Sequence, residues 1–378
     1  MFIPLMLGAA LGAYSMPHRT IYVGPEEYNG HSYSEYYDTS TRRFGKLDAK
    51  IGFSLKKPSV EVLEDRLSAS DSQGPIGFSL WHTKGARQKP TIVLIHGADQ
   101  ETRDMGWTIP FFVAHGMNVI TFDQRGTGSS AGNWQATGPE QKAEDVVAML
   151  RSVDTNPAVD KKRIGAWGPS NGGWVAPIVA NDYPLAFIIL KSAPAESIES
   201  NVAYEVEQAL REHGTFNEQQ IAAAMKFEQT MFASLRTNSN WPQAQAAVDA
   251  AQHEPWYPLM RMPPGMTFPP PAPLLNALQA SLEYDPTAVL EKVHVPTLAV
   301  FGALDKNVDA ADSARLFRTY FQQAGLRDFT THTFPNADHI LEVSKTGYLD
   351  DDVLPDRLVP GYPEIMIDWL TARGFATK

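Results

Sequence analysis

Residues 163–177 read RIGAWGPSNGGWVAP, and the order of residue types in this stretch points to one local shape. "RIGAWG" is a short apolar segment of strand length, Pro169-Ser170-Asn171 makes a tight turn, and "GGWVAPIVA" can begin a helix. Gly168 and Gly172 flank the turn because a residue held in a strained backbone there leaves no room for bulky neighbours against the adjoining strand and helix. Ser170 is therefore presented at the carboxyl end of a strand. A serine hydroxyl is a weak nucleophile at neutral pH, so acyl chemistry at this position needs a base to take its proton and donors to hold the oxyanion.

Working outward, "TIVLIHG" (91–97), "NVITFDQRG" (118–126), "LAFIILKSA" (185–193) and "TLAVFG" (297–302) are nearly continuous apolar runs, the mark of strands buried on both faces of a parallel sheet. Helix-compatible segments at 138–155 and 309–323 alternate with them. Upstream, 59–70 and 76–83 alternate in polarity around the Asp71-Ser72-Gln73-Gly74 turn, which predicts an antiparallel hairpin at one sheet edge. The fold class expected is α/β, a mostly parallel, doubly wound sheet with helices on both faces.

The partners of Ser170 follow in the order acid, then histidine. "TLAVFGALDKNVD" places Asp305 just beyond a buried strand, where a carboxylate can fix the tautomer of an imidazole. "FTTHTFPNADHIL" places His339 in a loop after a later strand. Asp309 is an alternative to Asp305, and His332 an alternative to His339, although His332 falls in the middle of a strand. The oxyanion donors expected are the backbone N–H groups of Asn171, after the nucleophile, and Ala98, in the loop after "TIVLIHG". The charged groups Arg103-Asp104 and Asp123-Gln124-Arg125 read as ion pairs that fix loops.

About a hundred residues separate the strand ending near Ala193 from the one beginning near Thr297, too many for an ordinary crossover. The expected organisation is a core of 51–194 and 291–378 interrupted by a mainly helical lid or cap at 195–290. Within the lid, Asn217 and Gln220 have capping-box spacing. Prolines at 255, 258, 263, 264, 269, 270, 271 and 273 then interleave with aromatic and methionine side chains and predict a stiff, non-helical stretch. Trp256, Tyr257 and Met260 from this stretch are candidates for the wall of an acyl pocket. Glu205 and Glu207, also in the lid, could read a free amine or cover a solvated helix face.

The chain has 378 residues, a net charge of -11 and no cysteine. Disulfides, thiolate metal sites and cysteine catalysis are thereby excluded, and without a concentrated basic face nucleic acid is not an expected partner. Phe2 to Tyr14 form an uncharged apolar run ending in Ala13-Tyr14-Ser15, with small residues at the cleavage-determining positions, so 1–15 reads as a secretory signal and predicts export. No basic residue precedes the run, which also suits an apolar arm packed on the domain in a cytoplasmic protein. The run is too short to span a bilayer. Residues 16–50 lack sustained periodicity and are expected to form an extended arm.

Taken together, "LIHGADQETRD", "VITFDQRGTGSS", "RIGAWGPSNGGWVAP", "AFIILKSAP", "VFGALDKNV" and "NADHIL" resemble the bacterial α/β-hydrolases related to serine aminopeptidases, dienelactone hydrolases and dipeptidyl-peptidase-like esterases. The resemblance covers 58–194 and 290–375. It implies a triad of Ser170, Asp305 and His339, no metal and no cofactor. It also implies hydrolysis of small-molecule carboxylic esters (EC 3.1.1), with peptidase or amidase activity (EC 3.4) as the alternative.

Overall fold

A computed structural model describes residues 62–98, 101–260, 262, 268–348 and 357–378, and the backbone of three short strands nearer the N-terminus. The candidate signal segment 1–15 lies outside the described residues. The three strands, β1 (Thr20–Val23), β2 (Glu35–Asp38) and β3 (Arg43–Lys46), join Arg357–Leu358 in a separate sheet of order 357–358, β1, β2, β3. An extended arm was expected over 16–50, and the described pieces of it are these short strands. Four-residue strands carry too few alternations for a period of two to emerge.

The main sheet has eight strands: β4 (Val62–Asp71), β5 (Gly74–Thr83), β6 (Lys89–Leu94), β7 (Asn118–Phe122), β8 (Val159–Pro169), β9 (Phe187–Lys191), β10 (Thr297–Gly302) and β11 (Phe329–Phe334). Their order across the sheet is β11-β10-β9-β8-β6-β7-β5-β4. β4 and β5 form the expected antiparallel hairpin, in register from Val62↔Thr83 to Asp71↔Gly74, and β5 also runs antiparallel to β7. The six remaining strands are mutually parallel.

Alternation along these strands feeds two cores. Val93, Ile188 and Leu190 pack on one face, whereas Ile92, Leu94, Phe187 and Ile189 pack on the other. Both sets are fully buried, so the runs look continuously apolar. Helices α1 (Thr108–Ala114), α2 (Pro139–Ser152) and α3 (Gly172–Asp182) belong to this α/β layering. α2 and α3 cover the first face and α1 the second.

Between β9 and β10 lie α4 (Ile198–Glu212), α5 (Glu218–Thr237), α6 (Trp241–Ala251), a 3₁₀ turn at Tyr257–Met260, α7 (Ala272–Glu283) and α8 (Pro286–Leu290). The capping box is formed: Asn217 accepts from the Gln220 N–H and the Gln220 side chain accepts from the Asn217 N–H, each at 3.0 Å. After β10, α9 (Ala310–Gln323) returns to the first face and α10 (Tyr362–Ala372) closes the second. The expected ion pairs form with different partners. Arg103 pairs with Asp123 rather than Asp104, while Arg125 bridges Asp71 and Asp145 at 2.5 and 2.6 Å. Pairing across segments, rather than along them, is what ties the loop after β6 to the hairpin.

Glu228 on α5 interrupts the helix's apolar stripe. It lies at helical spacing from Ile221, Ala224, Met231, Phe232 and Leu235, is 1% exposed, and neither carboxyl oxygen has a hydrogen-bond partner. Burial pushes its pKa from 4.5 up to about 8. The folded chain therefore keeps a proton that the unfolded chain releases, so between about pH 4.5 and 8 stability falls as pH rises. Glu228→Leu is expected to stabilise the protein against urea more at pH 8.5 than at pH 5, at ~1.4 kcal/mol per unit of pKa difference. An equal gain at both pH values would show that the carboxyl is solvated.

Candidate active site

Ser170 occupies the sharp turn between β8 and α3, with φ of 48°, a left-handed conformation that costs an L-residue of order 1–2 kcal/mol. Two hydrogen bonds hold it there: the Ser170 N–H donates to the Lys191 carbonyl at 2.9 Å, and the Gly173 N–H donates to the Ser170 carbonyl at 2.8 Å. The strand and helix close on each other so tightly that a Cβ on Gly168 would stand 2.3 Å from the Gly172 carbonyl oxygen. That contact is the physical reason for glycine at these positions.

Asp305 and His339 lie in the loops that follow β10 and β11, two adjacent strands at one edge of the sheet. His339 Nδ1 lies 2.9 Å from Asp305 Oδ2, where Nδ1–H donates to the carboxylate. The other oxygen, Oδ1, accepts from the Asn307 and Val308 N–H groups at 2.8 and 2.9 Å, so the buried carboxylate is locked in rotation. Asp309, the alternative acid, instead caps α9 by accepting from the Ala311 and Asp312 N–H groups. His332 is within β11, paired with Val300 and edge-on to Phe334. Geometry thus separates the alternatives that spacing left open.

The histidine loop reaches Asp305 because of a close approach that the sequence reading missed. A Cβ on Gly302 would meet the carbonyl oxygens of Asp338 and Ala337 at 2.2 and 2.4 Å. Lys191 secures the same loop: its buried side chain donates from Nζ to the His339 carbonyl at 2.9 Å. One residue thereby binds the serine turn through its backbone and the histidine loop through its side chain. Tyr204, on α4, adds a third tie by donating to the Asp305 carbonyl at 2.9 Å.

Ser170 and His339 line a cavity of about 320 Å³ together with Ala98, Asn171, Glu101, Lys191, Asn201 and Glu205. Its apolar wall is Met105, Trp107, Pro169, Trp167, Trp174, Pro194 and Ile340. Volume and lining suit a small molecule. Both candidate oxyanion residues, Ala98 and Asn171, therefore border the same space as Ser170. In the loop bearing Ala98, the buried His96 meets the Glu101 carboxylate with Nδ1, at 2.9 Å, and the Phe122 carbonyl with Nε2. Burial alone would raise the Glu101 carboxyl, but the contact with His96 holds it below the usual value.

The candidate pocket residues Trp256, Tyr257 and Met260 do not reach this cavity. Trp256 and Met260 are 3% and 1% exposed, and Trp256 and Tyr257 pack against Phe227 of α5. They form the interior of the helical insertion, whose own apolar faces must be buried somewhere. The wall comes instead from Trp167 and Trp174, which flank the serine motif, and from Met105–Thr108. Proximity to the motif was the available signal. Of the two candidate glutamates of the helical insertion, Glu205 borders the cavity and Glu207 pairs with Arg211 at 2.7 Å on the surface. Among the described residues, no group of His, Cys, Asp and Glu is arranged to hold a metal ion, and no helix is long and apolar enough to cross a membrane.

A family model described as serine aminopeptidase, S33, matches residues 86–343. An uncharacterised 31.7 kDa protein of Escherichia coli is 30% identical over 115 residues, 30% of this chain and 40% of that one. The chain thus spans less than half the length of that relative. A non-heme chloroperoxidase of Burkholderia pyrrocinia is 27% identical over 282 residues, 71% of this chain and 92% of its own. An esterase from Pyrococcus furiosus superposes with a TM-score of 0.50 over 85% of this chain and 98% of its own, at 14% identity, which shows a shared fold.

Trp256→Ala is expected to cost about 3–5 kcal/mol of stability, as for other buried tryptophans, and to leave KM for ester substrates unchanged at temperatures where the variant is folded. Trp107→Ala should raise KM. Chemical denaturation beside steady-state kinetics checks both, and the reverse pattern would return Trp256 to the pocket.

Proposed function

We propose that this chain, which belongs to the serine aminopeptidase S33 family of α/β-hydrolases, is a serine hydrolase that cleaves carboxylic esters of small to medium, apolar acyl compounds. The observation that carries the reading is the left-handed Ser170 facing one cavity with His339, itself oriented by Asp305. His339 takes the Ser170 proton as the hydroxyl attacks the acyl carbon, and the N–H groups of Asn171 and Ala98 receive the oxyanion. Asp305 holds Nδ1–H, leaving Nε2 to act as base and then to deliver the proton to the leaving alcohol. His339 next activates water, which releases the acid from Ser170. The tryptophan wall supports an apolar acyl group, since flat aromatic surfaces bury hydrocarbon without demanding hydrogen bonds. We retain export as a proposal from residues 1–15 alone.

A second reading is favoured by Glu205, the lid carboxylate that borders the cavity. It would suit a substrate carrying a free amine, as a peptidase or aminopeptidase requires, with the same triad attacking an amide.

Ser170→Ala is expected to lower kcat for p-nitrophenyl butyrate by about 10⁴-fold or more, as loss of the nucleophile does in other triads, and to abolish labelling by a fluorophosphonate. Wild-type protein should turn over p-nitrophenyl esters faster than aminoacyl p-nitroanilides. If the anilides are the better substrates and Glu205→Gln raises their KM, the peptidase reading replaces the esterase one.

A further inference from the structure

Asn171 stands at the start of α3 with helical backbone angles, φ -51° and ψ -34°, rather than the extended geometry from which asparagine caps a helix, and its side chain makes no cap hydrogen bond. Its Oδ1 points away and accepts from Lys142 Nζ at 2.8 Å, although Asn171 is only 3% exposed. Lys142 reaches this atom from α2 and also lines a small space with Ile95, His96, Gln124 and Asp145. A partly buried lysine that spends a hydrogen bond on one amide oxygen beside Ser170 loses part of its hydration, a cost that helix packing alone does not require.

We propose that Lys142 is a positioning residue for the oxyanion hole: its ammonium clamps the Asn171 side chain, so that the Asn171 backbone N–H stays aimed at the developing oxyanion. The proposal rests on the reading of Ser170 as nucleophile. Without the lysine, Asn171 Oδ1 would lose its partner in a buried setting, and the side chain would turn to find another, loosening the backbone it belongs to. A donor displaced by a few tenths of an ångström loses most in the transition state, where the charge is greatest, and least in the ground state. The signature is therefore a fall in kcat with KM unchanged.

The charged groups around Lys142 define its titration. Glu101 faces it from the loop after β6, Asp145 from α2 itself, and those two are held in turn by His96 and Arg125. Burial lowers the ammonium's pKa to about 8 against the attraction of Glu101 and Asp145. The hydrogen bond to Asn171 should weaken as the pH passes that value.

The test compares Lys142→Met, Lys142→Arg, Asn171→Ala and the Met/Ala double variant with wild type on p-nitrophenyl butyrate between pH 6 and 10. Lys142→Met is expected to lower kcat roughly 10–100-fold, short of the full loss of a donor, with KM within twofold and fluorophosphonate labelling retained. The fall in wild-type kcat above about pH 8 should be absent in that variant, and Lys142→Arg should recover most of the activity. The double variant should be no slower than the slower single one, because both remove the same link. If Lys142→Met does not fold, Asn171→Ala, which keeps the lysine and removes its acceptor, must show the same loss of kcat. Wild-type kcat in both single variants, or losses that multiply in the double variant, would overturn the proposal. A wild type that neither turns over the ester nor takes the fluorophosphonate would overturn the reading of Ser170 itself, and this inference with it.

Discussion

The left-handed backbone of Ser170 is the constraint on which the rest of the site depends. A serine gains nothing locally from φ of 48°, so the conformation persists because its surroundings over-determine it. The β8–β9 ladder continues in register to Pro169↔Lys191, immediately before the serine, and the next N–H bonds the Lys191 carbonyl. The strand therefore cannot relax into a gentler bend. The near-contact between residues 168 and 172 then forces the chain straight into α3. What emerges is a hydroxyl pushed out over the carboxyl edge of the sheet, where loops from β6, β9, β10 and β11 also end.

Those loops are joined to one another by polar contacts that are wholly or partly buried. Lys191 links the serine turn to the histidine loop, Asp305 is locked by two backbone N–H groups, and Tyr204 ties the Asp305 segment to the helical insertion. The more such a bond is removed from water, the nearer leaving one partner unpaired comes to costing about 1–3 kcal/mol. The arrangement thereby resists small displacements of the site.

The insertion between β9 and β10 contributes less to the cavity than its length suggests. Its aromatic residues face inward and form a continuation of the core, while Asn201 and Glu205 on α4 border the space in front of Ser170. Choice of acyl group in the proposed reaction then rests on Trp107, Trp167, Trp174 and Met105 from the α/β layers. Glu228, sealed inside the insertion without a partner, makes the stability of that region fall as pH rises from about 4.5 to 8.

Much of this was legible in the sequence because it is written in local pattern. Continuous apolar runs specified strands buried on two faces, the glycine-flanked serine specified the turn, and Asp305 and His339 followed it in chain order, each in the loop after a later strand. Residue type and spacing determine backbone conformation and whether a side chain is buried. They do not determine which buried neighbour it meets, and here the tertiary structure alone decided. Trp256 and Met260 are as apolar as Trp107 and Met105, yet only the latter face the serine. Arg103 adjoins Asp104 in the chain and pairs with Asp123. Lys142 looks like one more polar residue on an amphipathic helix until the crossing of α2 behind the serine turn brings its ammonium to Asn171. The physical reason is the same in each case: periodicity is a property of one segment, whereas contact is fixed by the sheet order that brings distant segments together.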